Sequence, residues 1–351
     1  MLSARDDQVL QPSLAGYEPD ITIIVTTKNN PRTILDSVRS ILDLNYPKEK
    51  LRVLVVDASE DLSTQSLLQG MPIDFVRFKA NAPAAYNFAL RSVRSELVGF
   101  IDGDAKVDPD WLREVVKQVG DDAVAGAGGP ILTWNKESLV PRAIGYELES
   151  RYNNPRNVVR CSTTNLVLKR TVLEEVGGFD DTLDTGYDGD IGYRIVKRGY
   201  KIVFEKDAIV FHSHRSTLSS YWKQQYTYAK NDARLYSKSA GLFFSDNVTR
   251  KWMAIQPALL SCFVVMSIVL VVFYVRDSSI SGFFPRNMAY MWAAIGLFLT
   301  LSFLFSSVKI AVSARDPWAL PVIFFIFVSR SFAWTTGGVV GLARRAFLQD
   351  R

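Results

Sequence analysis

Residues 97–104 read LVGFIDGD, and the fold follows from where that stretch belongs. Leu97 to Ile101 is a short apolar run of the kind buried on both faces of a sheet, and Asp102-Gly103-Asp104 closes it with two carboxylates. The same arrangement recurs on the N-terminal side. Ile21 to Val25 (ITIIV) and Leu51 to Val56 (LRVLVV) are β-branched runs, the second closed by Asp57. Helical spacing separates them at Ile34 to Leu42, with shorter helices at Ser63 to Leu68 and Ala84 to Val93 and a weaker strand at Phe75 to Phe78. Strands alternating with helices predict βαβ units, an α/β fold with a mostly parallel sheet, and ligands bound beyond the carboxyl ends of the strands.

After Pro130 the pattern loosens. Leu166 to Lys169 reads as a strand, Thr171 to Val176 as a helix stopped by Gly177, and Asp190 to Arg198 as a helix stopped by Gly199. Lys201 to Phe204 and Ala208 to His212 are further strands. Two acidic sites therefore fall at strand ends, Asp57 and the Asp102/Asp104 pair. An Asp-x-Asp after a buried strand offers hard oxygen ligands to Mg2+ or Mn2+, ions that bind a few carboxylates beside substrate phosphates. Asp-Gly is also ordinary turn chemistry, so the two strand-end sites together say more than DGD alone. Asp188 and Asp190 stand before a helix, where Asp caps well, and capping alone would account for Asp190. His212 and His214 are the only histidines. Strand alternation turns both to one face, as a third metal ligand or a phosphate contact.

The C-terminal third is of another kind. Residues 253–275 and 287–308 contain no charged side chain, and residues 317–343 contain only Arg330. At 23, 22 and 27 residues, each exceeds the roughly 20 needed to cross a hydrocarbon core about 30 Å thick. Three full spans would place Arg344, Arg345 and Arg351 outside, whereas a re-entrant third segment would keep them in the cytoplasm. Arg330 is costly there and calls for a polar partner, a bundle interior or a lipid phosphate. Between Arg215 and Trp252, seven cations against two acids make a basic collar suited to an anionic membrane surface. Nucleic acid is a poorer partner, since no groove-reading motif accompanies the charge. Cys161 and Cys262 are the only cysteines, too few for a disulfide framework. The polar start MLSARDDQVLQPS has no apolar signal core, so the front part is expected in the cytoplasm, with the chain in the cell membrane. The expected division is a loose segment 1–19, an α/β domain 20–232, a basic juxtamembrane segment 233–252 and a membrane part 253–351.

From Pro19 to Asp232 the chain resembles an inverting GT-A glycosyltransferase of family 2. The resemblance rests on five elements in order: ITIIVTTKNNPRTILDSVRSIL, VLVVDASED, AAYNFALRSVRSELVGFIDGDAKVDPDWL, CSTTNLVLKRTVLEEVGGFDDTLDTGYDGDIGYR and HSHR. It implies a Rossmann-like catalytic domain followed by transmembrane helices. It further implies that Thr27 and Asn29 line the nucleotide pocket, Asp57 bonds the base or ribose, and Asn87 approaches the sugar nucleotide. Asp102 and Asp104 would hold the donor ribose and the metal, with His212 completing the metal sphere and His214 or Arg215 near the diphosphate. Asp188 would be the catalytic base. The expected partners are a UDP- or GDP-sugar and a lipid-linked acceptor.

Three departures from the family pattern stand out. Its Glu-Asp pair reads Tyr187-Asp188 here, the glycine before the Asn87 helix is absent from NAPAAYN, and QQYTYA replaces the QxxRW of processive polymerases. The last predicts one sugar per encounter. A polyprenyl-phosphate acceptor is one variant of this reading, and a non-catalytic sugar-nucleotide binder is its rival. A transporter fits poorly with so few spans, and a nucleotidyltransferase would need a glycine-rich loop after ITIIV.

Overall fold

The computed structural model describes residues 17–152, 155–238, 241–242, 251–277 and 283–349. Strands β1 (Ile21–Thr27), β2 (Leu51–Asp57), β3 (Asp74–Arg77) and β4 (Leu97–Asp102) run parallel in the order β3-β2-β1-β4. Their register sets Thr27 beside Asp57 and Thr26 beside Asp102, so the strand-end acids leave the sheet at one edge. Helix α1 (Ile34–Leu42) covers one face of the sheet, and α2 (Ser63–Leu68) follows β2. Helix α3 (Ala82–Leu90) covers the other face. Ile21, Ile23, Ile24 and Val25 are fully buried between these layers, each contributing about 1.5–3 kcal/mol.

The second half adds β5 (Ala105–Val107), α4 (Trp111–Val116), β6 (Val124–Gly128), β7 (Ile131–Thr133), α5 (Leu139–Glu149), β8 (Asn157–Val158), β9 (Leu166–Lys169), α6 (Arg170–Glu175), α7 (Tyr187–Lys197), β10 (Lys201–Phe204) and β11 (Val210–His212). β9 runs antiparallel between β4 and β6, and β10 and β8 complete the large sheet. A small sheet, β5-β11-β7, sets His212 opposite Ala105, and Ser213 N–H donates to Asp104 O at 2.9 Å. The last expected strand is shorter than the sequence implied, starting at Val210 instead of Ala208. Helix α7 starts three residues earlier than the sequence implied. Gly186, at φ 73°, holds the N-cap position, so Asp190 is not the cap; it sits inside the helix and binds Arg194 at 2.8 Å.

Among the described residues four long helices follow: α8 (Leu218–Lys238), α9 (Lys251–Asp277), α10 (Phe283–Ser313) and α11 (Leu320–Gln349). Among the described residues three stretches, Ile255–Arg276, Pro285–Ser313 and Pro317–Phe347, are long and apolar enough to cross a membrane. Helix α8 runs unbroken through residues 232 and 233. Residues 1–16 and most of 239–250 lie outside the described residues. Ala143 and Ile144 of α5 share a buried cluster with Leu260, Phe303 and Phe327 of the C-terminal helices. Arg330 is fully buried, and its Nη1 donates to Glu147 Oε1 at 2.6 Å; Glu147 also pairs with Arg151. Arg330 thus has the polar partner its position demands.

Candidate active site

At the carboxyl edge of the large sheet a cleft of about 1140 Å³ opens between the α/β part and the C-terminal helices. Asp102 and Asp104 enter it from the end of β4 and the turn into β5. Gly103 is required between them, because a Cβ there would lie 2.7 Å from Thr27. Pairing of β11 with β5 brings His212 in, its Nε2 3.3 Å from Asp104 Oδ1. One ligand atom from each of Asp102, Asp104 and His212 falls within 4.8 Å of the others. Two carboxylates and an imidazole suit Mg2+ or Mn2+. Thr164 Oγ1 donates to Asp102 Oδ2 at 2.5 Å and Tyr86 O–H donates to Oδ1 at 3.5 Å, fixing that carboxylate from behind.

Charge is finely divided here. Burial and the neighbouring Asp104 push the Asp102 carboxyl up. Burial works the same way on Asp104, but His212 and then Arg215 outweigh it and hold that carboxyl below its usual range. Burial opposes the charge on His212, yet Asp104 wins and raises the imidazole. Burial and His212 push His214 down to about 3, so its ring is neutral near pH 7. Its Nδ1 lies 3.3 Å from His212 Nδ1, and its buried Nε2 has no partner among the described residues. Asn135 clamps the His214 backbone, accepting from its N–H at 3.0 Å and donating to its carbonyl at 2.9 Å. Arg215 is exposed at the cleft wall.

Across the cleft, Asp188 sits in the first turn of α7, where Arg160 Nε donates to its Oδ2 at 3.0 Å. Tyr187, in place of the family's Glu, belongs to an aromatic cluster with Tyr86, Phe100 and Phe179. Burial raises its phenol well above the ordinary value, so it remains a neutral hydroxyl. The remaining wall comes from Gln224, Gln225 and Tyr228 of α8, Pro257 of α9, and Trp334 and Arg345 of α11.

Thr27 and Asn29 line the same cleft, Asn29 at φ 51°, a conformation Asn tolerates. The Asn29 side chain accepts from Glu60 N–H at 3.0 Å and ties the β1 and β2 loops together. Asp57 and Asn87 lie behind the residues that line the cleft. Asp57 is fully buried and its Oδ1 accepts from Ser59 N–H at 3.0 Å, shaping the turn after β2. Asn87 spends both polar atoms on the Phe179 backbone, at 2.7 and 2.9 Å, and so pins the Gly177-Gly178-Phe179 turn. Sequence reasoning singled out neither Thr164 nor Arg160. The hydroxyl-rich CSTTN stretch beside an acidic site is the one signal that could have found the first.

Residues 22–177 match the family described as Glycosyl transferase family 2. The glycosyltransferase AglE of Haloferax volcanii is 24% identical over 236 residues, which cover 62% of this chain and 74% of that one. The pre-mycofactocin glycosyltransferase of Mycobacterium tuberculosis is 25% identical over 265 residues, covering 69% of this chain and 54% of the relative, about half its length. Among solved structures, a mannosyltransferase of Pyrobaculum calidifontis in complex with GDP-Man and Mn2+ superposes with a TM-score of 0.58 at 19% identity. That superposition covers 93% of this chain and 88% of the other, and it speaks for the fold. With the strand order and the DGD turn in agreement, the α/β part of this chain has the GT-A fold, and its residues 22–177 carry the match to glycosyl transferase family 2.

Proposed function

We propose that this glycosyltransferase is metal-dependent and inverting, and passes a single sugar from a nucleoside-diphosphate sugar to a lipid-linked acceptor. The observation that carries this reading is the meeting of Asp102, Asp104 and His212, with ligand atoms within 4.8 Å, in the cleft that Asp188 shares with α9 and α11. Asp104, His212 and Asp102 would hold Mg2+ or Mn2+, which when bound stabilises the charge growing on the departing diphosphate. Thr27 and Asn29 flank the nucleotide, Asp57, whose buried Oδ2 has no partner among the described residues, bonds its base or ribose, and Asn87 approaches the sugar nucleotide from α3. His214 and Arg215 face the diphosphate, His214 as a neutral ring. Asp188 takes the proton of an acceptor hydroxyl attacking from the opposite side. UDP- and GDP-sugars are the donor classes to test, and the solved relative that holds GDP-Man and Mn2+ supports the second. The α/β part is assigned to the cytoplasmic side of the cell membrane, beside α9 and α10.

Purified full-length protein should transfer or hydrolyse a sugar from one of these donors only with a divalent ion, and Asp104→Asn or His212→Ala should abolish that dependence along with activity. Asp188→Asn should lower turnover about 10²- to 10⁴-fold while donor binding persists; near-normal turnover would show that Asp188 is not the base. One contact favours a second reading. Arg160 already occupies Oδ2 of Asp188 and leaves only Oδ1 for the proton of an acceptor hydroxyl, whereas an acceptor phosphate is already ionised and would attract Arg160 itself. For such a polyprenyl-phosphate acceptor, Asp188→Asn is tolerated and Arg160→Ala is not.

A further inference from the structure

We infer that α11 lies flat on the membrane surface as a lipid-facing floor under the catalytic cleft, and that only α9 and α10 cross the bilayer. Charged elements of the α/β part and α8 hold α11 along its length. Just ahead of it, Asp316 accepts from Arg142 of α5 at 2.7 Å. At its middle, Arg330 reaches Glu147 at the other end of α5. Beyond that, Trp334 Nε1 donates to Gln225 Oε1 of α8 at 3.0 Å, and Arg345 lines the cleft. From Asp316 to Arg345 the path is about 43 Å at 1.5 Å per residue, longer than a hydrocarbon core of about 30 Å. Standing upright, α11 would draw α5 and α8 through that core with Arg142, Glu147, Arg151, Lys223 and Lys230, a burial of charge that bilayers resist.

The outward face fits an interface instead. Phe325, Phe332 and Val339 are exposed at seven-residue intervals and form one stripe, with Trp318 exposed in the turn just ahead of it, while Ile323, Ile326, Arg330 and Ala333 are buried on the protein side. By contrast, α9 exposes apolar side chains over most of its length, including Val265, Ile268, Val271 and Val275, as a lipid-embedded helix does. Val308 and Val312 at the end of α10 and Trp318 after Asp316 are exposed as well, so apolar surface leads from α10 into the stripe, which suits the acyl and headgroup boundary. Laid flat, α11 also keeps Arg344 and Arg345 on the same side as the basic face of α8, next to anionic lipid.

The test uses full-length chains with Cys161→Ala and Cys262→Ala, one introduced cysteine each, and an impermeant maleimide on sealed vesicles. Arg344→Cys is expected to react from the same side as Asp122→Cys on the α/β part, and Arg276→Cys at the end of α9 from the opposite side. Reaction of Arg344→Cys on the Arg276→Cys side would overturn the inference. Independently, fluorophores at Phe325→Cys, Phe332→Cys and Val339→Cys should be quenched equally by headgroup-level nitroxide lipids. Deep quenching at 332 with shallow quenching at 325 and 339 would mean a span. Cross-linking between chains at these positions without lipid quenching would mean a second copy covers the stripe, and would overturn it as well. Should the cysteine replacements unfold the chain, reporters on the two ends of the unsubstituted chain read the same side if α11 lies flat and opposite sides if it spans.

Discussion

Asn165 shows how much one buried side chain can organise. Its Oδ1 accepts from Trp111 Nε1 at 2.8 Å, and its Nδ2 donates to the carbonyls of Pro130 at 3.0 Å and Ala208 at 2.8 Å. It thereby joins α4 to the chain segments flanking β7 and β11. Asn165→Leu leaves Trp111 Nε1 and the Ala208 carbonyl unpaired, while the Pro130 carbonyl keeps the Val210 N–H; at about 1–3 kcal/mol for each orphaned group, chemical denaturation should show a loss of roughly 2 kcal/mol or more. A second contact is pH-dependent. Burial opposes ionisation of Asp180, but bonds from Lys238 and Thr182 hold its carboxyl at about 2. A depressed folded value means the stabilisation is present above the unfolded value, near 4, and is lost as pH falls through about 2. The deficit of Lys238→Ala should therefore be constant from about pH 5 to 8 and shrink on acidification. Residue type made Asp102, Asp104 and His212 visible in the sequence, because carboxylates after apolar runs and a lone pair of histidines are rare by chance. Asn165 and Arg160 were invisible, since an amide or a guanidinium reveals its partner only once the chain has folded.

Among elements, β6 and α11 show where pattern reading stops. Strands β1, β2 and β4 were legible because their apolar, largely β-branched side chains are buried on both faces of the sheet. β6 reads VAGAG and carries no such mark, yet it is fully buried. Its glycines are forced by close approach, for a Cβ would sit 2.1 Å from Val167 O at Gly126 and 2.2 Å from Asn165 O at Gly128. The same constraint governs the contact of α8 with α11. A Cβ at Gly337 would lie 2.5 Å from Tyr226 O, and one at Gly341 2.3 Å from Lys230 O, whereas at Gly338 nothing lies within 4 Å. Gly341→Val should therefore lower the thermal midpoint in detergent by several degrees, and Gly337→Ala by less. Gly338→Ala should be neutral or raise it, since Ala is better than Gly in a helix by about 1 kcal/mol. Equal effects at Gly338 and Gly341 would contradict this packing.

At the scale of the whole molecule, the α/β part and the C-terminal helices meet through a buried charge cluster of one carboxylate and two guanidiniums. Burial opposes the charge on Glu147, but Arg151 and then Arg330 lower its carboxyl, and Gln256 of α9 lies 3.4 Å from Arg330 Nη2. Glu147→Ala strands two cations together and should cost about 3–5 kcal/mol. Adding Arg330→Met to it should recover part of that loss, and a double-mutant cycle measures the coupling. Purely additive losses would mean the pair does not join the two halves. Because one wall of the cleft is built from α8, α9 and α11, the reaction chamber is complete only when both halves of the chain are present. A fragment ending before α8 would keep Asp102, Asp104 and His212 but work as an open bowl, flooded by solvent. Such a fragment should waste its sugar on water.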